Sequence, residues 1–476
     1  MLKNHLVTLL KGEEEFQLTA SQSVLIEKLA DFMVSASPEP VFVIRGYAGT
    51  GKTTMINQLT LTLDTLNIKS VLLAPTGRAA KVLTGYTGKN AYTIHKKIYR
   101  QQSSADGFGA FVLDRNLHKY TWFIVDESSM ISNQATESTV FGSGRLLDDL
   151  MEYVFSGEGC RLVLAGDSAQ LPPVGISVSP ALDVKLLEQY GFEITDSELT
   201  DVVRQERESG ILFNATRIRE MIFSDSDSSG FFRIVLPEKG EPERVSGADL
   251  MEKLSLSYEK YGIRETTVLT RSNKRANLYN QGIRNSILYR DSEIARGDLL
   301  MVVKNNYFWP GEDDGIDFIA NGDTGEITHI YGVEELYGFR FAHVSLKLID
   351  YEDVEIECKI ILDTLSVETA SLSREEQMRL FNAVSEDYAD IGNKRERWKK
   401  IKADPWFNAL QVKFAYAVTC HKAQGGQWFS VFIDTGFLTE EMIDRDFLRW
   451  LYTAFTRSKE KLYLVNFDKR FFEEEK

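Results

Sequence analysis

Apolar residues in this chain gather in short unbroken runs, separated by polar stretches with helical spacing. VFVIR (41–45), VLLA (71–74), FIV (123–125) and RLVLA (161–165) show no polar alternation. Strands covered by helices on both faces read this way, as in parallel sheets. A second set follows: TTVLT (266–270), FAYAVT (414–419), SVFID (430–434) and KLYLV (461–465). Strands alternating with helices predict an α/β fold with open sheets. Two sets predict two parallel-sheet domains, 1–205 and 206–476, facing each other across a cleft.

Two regions break the pattern. Residues 101–121 carry a turn signal, ADGFG, between short extended pieces, which predicts a hairpin inserted at about 98–121. A larger insert occupies about 295–411. Its first part alternates like a small antiparallel, SH3-like barrel. Its second part predicts a helical hairpin opened by a Ser-x-x-Glu cap at Ser373.

Composition narrows the class. The 476 residues are 43% hydrophobic, enough for sizeable cores and too many for a disordered chain. No apolar run approaches the roughly 18–20 residues of a membrane span, and the N-terminus lacks a signal-peptide pattern. Cys160, Cys358 and Cys420 lie far apart, which excludes a disulfide framework and predicts a reducing cytoplasm. The net charge of −15 argues against a protein that coats nucleic acid but leaves room for a local basic cleft. Lys394 to Lys402 holds six basic residues against the acid Glu396, either a solvated helix face or part of such a cleft.

The first set of strands carries phosphate chemistry. GYAGTGKTT (46–54) follows VFVIR and precedes the amphipathic MINQLTLTL, the strand–loop–helix context of G-x-x-x-x-G-K-[ST]. Gly46, Gly49 and Gly51 let the backbone curl so that N–H groups, including those at Thr50 and Thr54, point at phosphate oxygens. The helix adds its N-terminal partial charge. Lys52 reaches the β- and γ-phosphates of ATP, and Thr53 binds Mg²⁺. In WFIVDESSM, Asp126 would complete the Mg²⁺ shell and Glu127 would deprotonate the attacking water. In LVLAGDSAQLPPVG, a strand ends at Asp167, Gln170 can bond a γ-phosphate or the water, and Pro172 and Pro173 stiffen the loop.

In order, GYAGTGKTT, APTGRAAKVL, DESSM, GDSAQLPPVG, VVRQE, YAVTCHKAQGGQ and LYTAFTRSKEKL resemble the helicase motifs of superfamily 1. The resemblance runs from about Phe16 to Val465 and is to the RecD and Dda branch (subgroup B). The longer signature of the related Pif branch is not apparent around the third motif. The resemblance implies two RecA-like motor domains that hydrolyse ATP, move 5′→3′ on single-stranded DNA and separate duplex at single-strand/duplex junctions. The large N-terminal domain of RecD proteins has no counterpart before Gly46, so docking through it is not expected. The resemblance further implies that Gln22 reads adenine, and that Arg204 and Arg457 reach the γ-phosphate from the facing domain.

TCHKAQGGQ (419–427) places Cys420 beside His421, which raises the question of a thiol and its base. On a strand, adjacent side chains point to opposite faces, so the pair points apart. Cys420 then reads as a small buried hydrophobe. In the family this motif touches DNA on one side and nucleotide on the other. Thr419, His421 and Lys422 are the strand-contacting candidates; Gln424, Gly425 and Gln427 belong to the part that senses ATP.

Further strand contacts are expected at helix N-termini, where N–H groups favour phosphate. Pro75, Thr76, Gly77 and Arg78 form one such site, and Thr93 and His95 a second. Tyr92, Phe308 and Trp309 are candidates for base stacking. Phe108 and Phe111, near the hairpin tip, are candidates for a strand-separating wedge; the alternative is a small local core. Other readings stay open: a translocase that displaces proteins without efficient unwinding, a P-loop ATPase switch or loader, and RNA as the track. A complete two-sheet motor in one chain is expected to act as a monomer.

Overall fold

The computed structural model describes residues 2–12, 18–102, 110–134, 141–203, 209–224, 231–237, 240–311, 316, 318–351 and 354–472. A six-stranded parallel sheet runs Ala91–Thr93, Ser70–Ala74, Trp122–Val125, Arg161–Gly166, Pro40–Gly46, Glu193–Leu199. The four apolar runs form its centre, because helices cover both faces and leave no solvent side for polar residues. Glu193–Leu199 has no apolar run to announce it. It is an edge strand whose polar side chains are used laterally: Asp196 pairs with Arg45, and Glu198 accepts from the Tyr47 hydroxyl.

The second sheet is parallel too, in the order Ala417–Thr419, Thr266–Thr270, Trp428–Asp434, Ser458–Val465, Glu243–Val245. Here the expected strand FAYAVT is divided. Phe414 ends a barrel strand, Leu410–Phe414, and only Ala417–Thr419 enters the sheet. The break is held by Asn280. Its carboxamide nitrogen donates to the carbonyls of Phe414 (3.0 Å) and Ala417 (2.9 Å), and its oxygen accepts from the Ala417 N–H (2.7 Å). A single buried amide thus satisfies backbone groups that a continuous ladder would have paired.

The inserts form a hairpin and a barrel. Tyr99–Gln102 and Ala110–Leu113 pair antiparallel. Leu299–Val302, Thr324–Leu336, Phe339–Leu348, Glu355–Ile361 and Leu410–Phe414 close a barrel. Helices Arg374–Asp387 and Lys394–Lys402 follow the fourth strand, the first opened by a capping box between Ser373 and Glu376. An apolar cluster spans the two sheets: Tyr47, Ala169 and Leu171 of the first half pack with Trp450, Leu451, Tyr452 and Phe455 of the second. No helix among the described residues is long and apolar enough to cross a membrane.

Candidate functional site

The strand Pro40–Gly46 hands over to the helix Lys52–Thr65 through a tight loop. Gly49 and Gly51 hold positive φ values of 72° and 79°, which favour glycine. Thr50 is fully buried and donates its hydroxyl to the Tyr47 carbonyl at 2.8 Å, closing the turn. Thr53 is half-buried and Thr54 exposed at the start of the helix. Lys52 Nζ lies 3.9 Å from Asp126 Oδ1. Burial works against the Lys52 charge, but Glu127, Asp126 and Asp167 together hold its pKa above the usual lysine range. Burial pushes the Asp126 carboxyl up to about 6, and burial likewise raises that of Asp167.

Glu127 follows a fully buried strand and adopts a left-handed backbone, with φ 52°. A glutamate there is strained, and such strain persists where surrounding structure imposes it. Its Oε2 and the Oε1 of Gln170 are buried without a hydrogen-bond partner among the described residues. Two orphaned acceptors beside a glycine cradle, a lysine and a carboxylate fit a magnesium–nucleotide and its attacking water.

The second sheet closes over this loop. Arg457 is 3% exposed, and its guanidinium donates only to neutral groups: the carbonyls of Thr453 (3.1 Å) and Gly426 (3.2 Å) and the Thr456 hydroxyl (3.2 Å). Among the described residues no carboxylate pairs with it, and it lies close enough to Lys52 to oppose its charge. A buried cation without a counter-anion suits a site that receives negative charge. Tyr452, Thr453 and Gln424 also reach across. The Tyr452 hydroxyl accepts from the Ala48 N–H (2.9 Å) and donates to Asp167 (2.7 Å). Thr453 accepts from the Leu171 N–H (2.9 Å), and Gln424 donates to the Leu171 carbonyl (2.6 Å). Tyr452 and Thr453 escaped the sequence reading; their signal was a pair of hydroxyls inside the apolar stretch LYTAF.

Several candidates are already engaged by neighbouring groups. Gln22 is buried and already engaged: Oε1 accepts from Thr19 N–H (3.0 Å) in a capping box, and Nε2 donates to the Thr50 carbonyl (3.0 Å). It braces the loop, leaving one amide hydrogen and one lone pair for any other partner. Arg78 does not extend freely from its helix. It stacks on Trp428 at 3.9 Å and donates to the Gln427 carbonyl at 3.1 Å. His95 packs edge-on against Phe141 at 4.8 Å, and burial lowers its pKa to about 4.

Gly425 packs closely against the first half. A Cβ there would meet Ala79 Cβ at 3.0 Å and Thr76 Oγ1 at 3.1 Å, so its backbone abuts the helix Gly77–Thr87. Phe111 is 7% exposed and packs, with rings tilted, against Tyr307 (4.3 Å) and Phe141 (4.8 Å), as the local-core alternative expects. Trp309 donates its indole N–H to the Asn408 carbonyl at 2.8 Å, which leaves its nitrogen bound within the insert. Phe108 and Arg204 lie outside the described residues.

The other candidates are placed by local structure. Thr76 and Thr93 cap their helices, each accepting a backbone N–H at 3.2 Å. Pro75 is half-buried beside Thr76, Thr419 ends its strand, and His421 is exposed. Lys422 bonds Asn321 of the barrel, and burial lowers its pKa to about 8. Tyr92 is exposed. Cys420 is fully buried and its thiol is pushed up to about 12 by burial, so it is inert packing, and His421 points away to solvent.

Fold and site together define a P-loop ATPase built from two RecA-like sheets. Residues 17–220 match the family described as an AAA domain, and residues 414–465 match the UvrD-like helicase C-terminal domain. The ATP-dependent RecD2 DNA helicase of Deinococcus radiodurans is 23% identical, over 92% of this chain and 48% of its own length. The ATP-dependent DNA helicase dda of Enterobacteria phage T4 is 24% identical, over 89% of this chain and 93% of its own. A crystal structure of the Pif1 helicase from Bacteroides with ADP-AlF3 and single-stranded DNA covers 97% of this chain and 95% of its own, at 16% identity and a TM-score of 0.45. The chain is thus similar to superfamily 1 helicases, RecD2 and Dda among them, and carries an AAA domain and a UvrD-like helicase C-terminal domain.

Proposed function

We propose that the chain is an ATP-dependent DNA helicase that moves 5′→3′ on single-stranded DNA and opens duplex at junctions. The observation that carries this reading is the convergence of both sheets on one loop: Lys52, Asp126, Glu127 and Gln170 from one side, Arg457 and Tyr452 from the other. A nucleotide held there touches both sheets, so its turnover changes their separation.

In this reading 1–205 and 206–476 are the two motor halves. Magnesium, held by Thr53 and Asp126, would neutralise phosphate charge. Gly46, Gly49, Thr50, Gly51 and Thr54 present backbone N–H groups to phosphate, and Lys52 adds its charge. Glu127 takes the proton of the attacking water, Gln170 orients that water, and Arg457, with Arg204, balances charge developing on the transferred phosphoryl group. Thr76, Thr93, Thr419, His421 and Lys422 hold the strand by its phosphates, which carries no sequence preference. One chain supplies the whole cycle, so a monomer in the cytoplasm suffices.

The test is ATP-dependent strand displacement on two matched duplexes, one with a 5′ tail and one with a 3′ tail, with Lys52→Ala as control. Opening of the 5′-tailed duplex alone is expected. Opening of the 3′-tailed duplex alone would overturn the direction, and no opening would overturn the helicase reading.

A further inference from the structure

The nucleotide loop is held from outside by side chains of the second half. Arg219 stacks over the Tyr47 ring at 4.4 Å, and Phe223 packs on it at 5.8 Å. At the next residue, Ala48, the backbone N–H donates to the Tyr452 hydroxyl. Tyr452 is 1% exposed and sits on the helix Arg445–Phe455, five residues before Arg457. The same hydroxyl donates to Asp167, at the end of the strand that leads into Gln170. One oxygen from a helix of the second half therefore joins two separate segments of the first: the loop that cradles phosphate and the loop that carries the orphaned Gln170 Oε1.

A phenol that both accepts and donates fixes the distance between its partners. Its neighbours reinforce the tie, because both backbone polar groups of Leu171 are taken by Thr453 and Gln424. Gln424 belongs to the motif whose other members, His421 and Lys422, hold the strand in the helicase reading; His421 is exposed and Lys422 bonds Asn321. Resting on the helicase reading above, we propose that Tyr452 is the positioning residue through which occupancy of the DNA strand sets the geometry of the nucleotide site. Tyr452 touches no reacting atom. It acts through the Ala48 amide and the Asp167 carboxylate.

The variant is Tyr452→Phe, which keeps the ring in its apolar surroundings and removes the one oxygen. Thr453→Val, close to isosteric, removes the neighbouring tie. Tyr463→Phe, on the second sheet's strand Ser458–Val465, controls for the loss of a buried tyrosine hydroxyl. Steady-state ATP hydrolysis is measured for each full-length protein with and without oligo-dT. For Tyr452→Phe we expect the DNA-stimulated kcat to fall about tenfold or more and the DNA-free kcat less than about threefold, collapsing their ratio. Thr453→Val is expected to shift that ratio in the same direction by a smaller factor, and Tyr463→Phe to leave it unchanged. Equal loss of both rates in Tyr452→Phe would mean a structural role only and overturn the proposal, as would an unchanged ratio. Absence of DNA stimulation in the parent chain would overturn the helicase reading itself and this proposal with it, a result distinct from a stimulated parent with an unmoved variant.

Discussion

Glu127 combines two costs at one residue, and they can be removed separately. Its left-handed backbone, φ 52° and ψ 33°, costs a residue with a Cβ about 1–2 kcal/mol. Its buried Oε2 has no partner among the described residues, and such an orphaned group costs about 1–3 kcal/mol. Glu127→Gly removes both terms, and loses roughly 0.5–1 kcal/mol to the greater freedom of the unfolded chain. The net of these terms is a stabilisation of about 1–4 kcal/mol, offset in part by the lost attraction to Lys52. For a unit of about 200 residues, each kcal/mol raises the melting temperature by roughly 2–4 °C. Glu127→Gln keeps the backbone strain and is expected to melt within a few degrees of the parent. Both variants are expected to lose about 10²- to 10⁴-fold in DNA-stimulated ATP hydrolysis, since neither can take a proton from water. Scanning fluorimetry of the nucleotide-free proteins, beside a coupled ATPase assay, reads both quantities. A Glu127→Gly protein that melts below its parent would refute the reasoning, because the left-handed turn would then be favoured by packing and not imposed on the residue for function.

Two further outcomes follow from the geometry. Phe111→Ala empties a site 7% exposed between Tyr307 and Phe141 and is expected to destabilise the chain by about 3–5 kcal/mol in urea denaturation; a loss below about 1 kcal/mol would contradict its place in the core. Burial holds the Asp126 carboxyl at about 6, above its unfolded value, so folding favours its protonated form more than the unfolded chain does; that contribution to stability is present below about pH 4 and lost as pH rises through 6. Magnesium needs the ionised form, so Mg-ATP affinity measured by calorimetry is expected to fall as pH drops through 6, and a flat profile between pH 7 and 5 would remove Asp126 from the metal site.

The sequence by itself determined the two central sheets and the chemistry of the phosphate loop. VFVIR, VLLA, FIV and RLVLA are apolar on both faces, and only burial between helix layers stabilises that pattern. The order Gly46 to Thr53 has few backbone solutions, so its loop could be read locally. What tertiary structure alone decided lies where side chains choose partners from distant elements. Arg78 carries the charge of a phosphate ligand, yet a planar cation is also drawn to an indole face, and Trp428 lies within reach only because the two sheets meet. Burial beside Phe141 lowers the His95 pKa to about 4, and Phe111 packs against Tyr307 of the other half. The strand at 414–419 was cut by Asn280, more than a hundred residues earlier in the chain. Tyr452 looked like one more apolar residue of LYTAF, since hydropathy records how well a ring is buried. Its hydroxyl acquired meaning when folding set Ala48 and Asp167 on either side of it, because a hydrogen bond depends on a few tenths of an ångström that only the packed structure supplies.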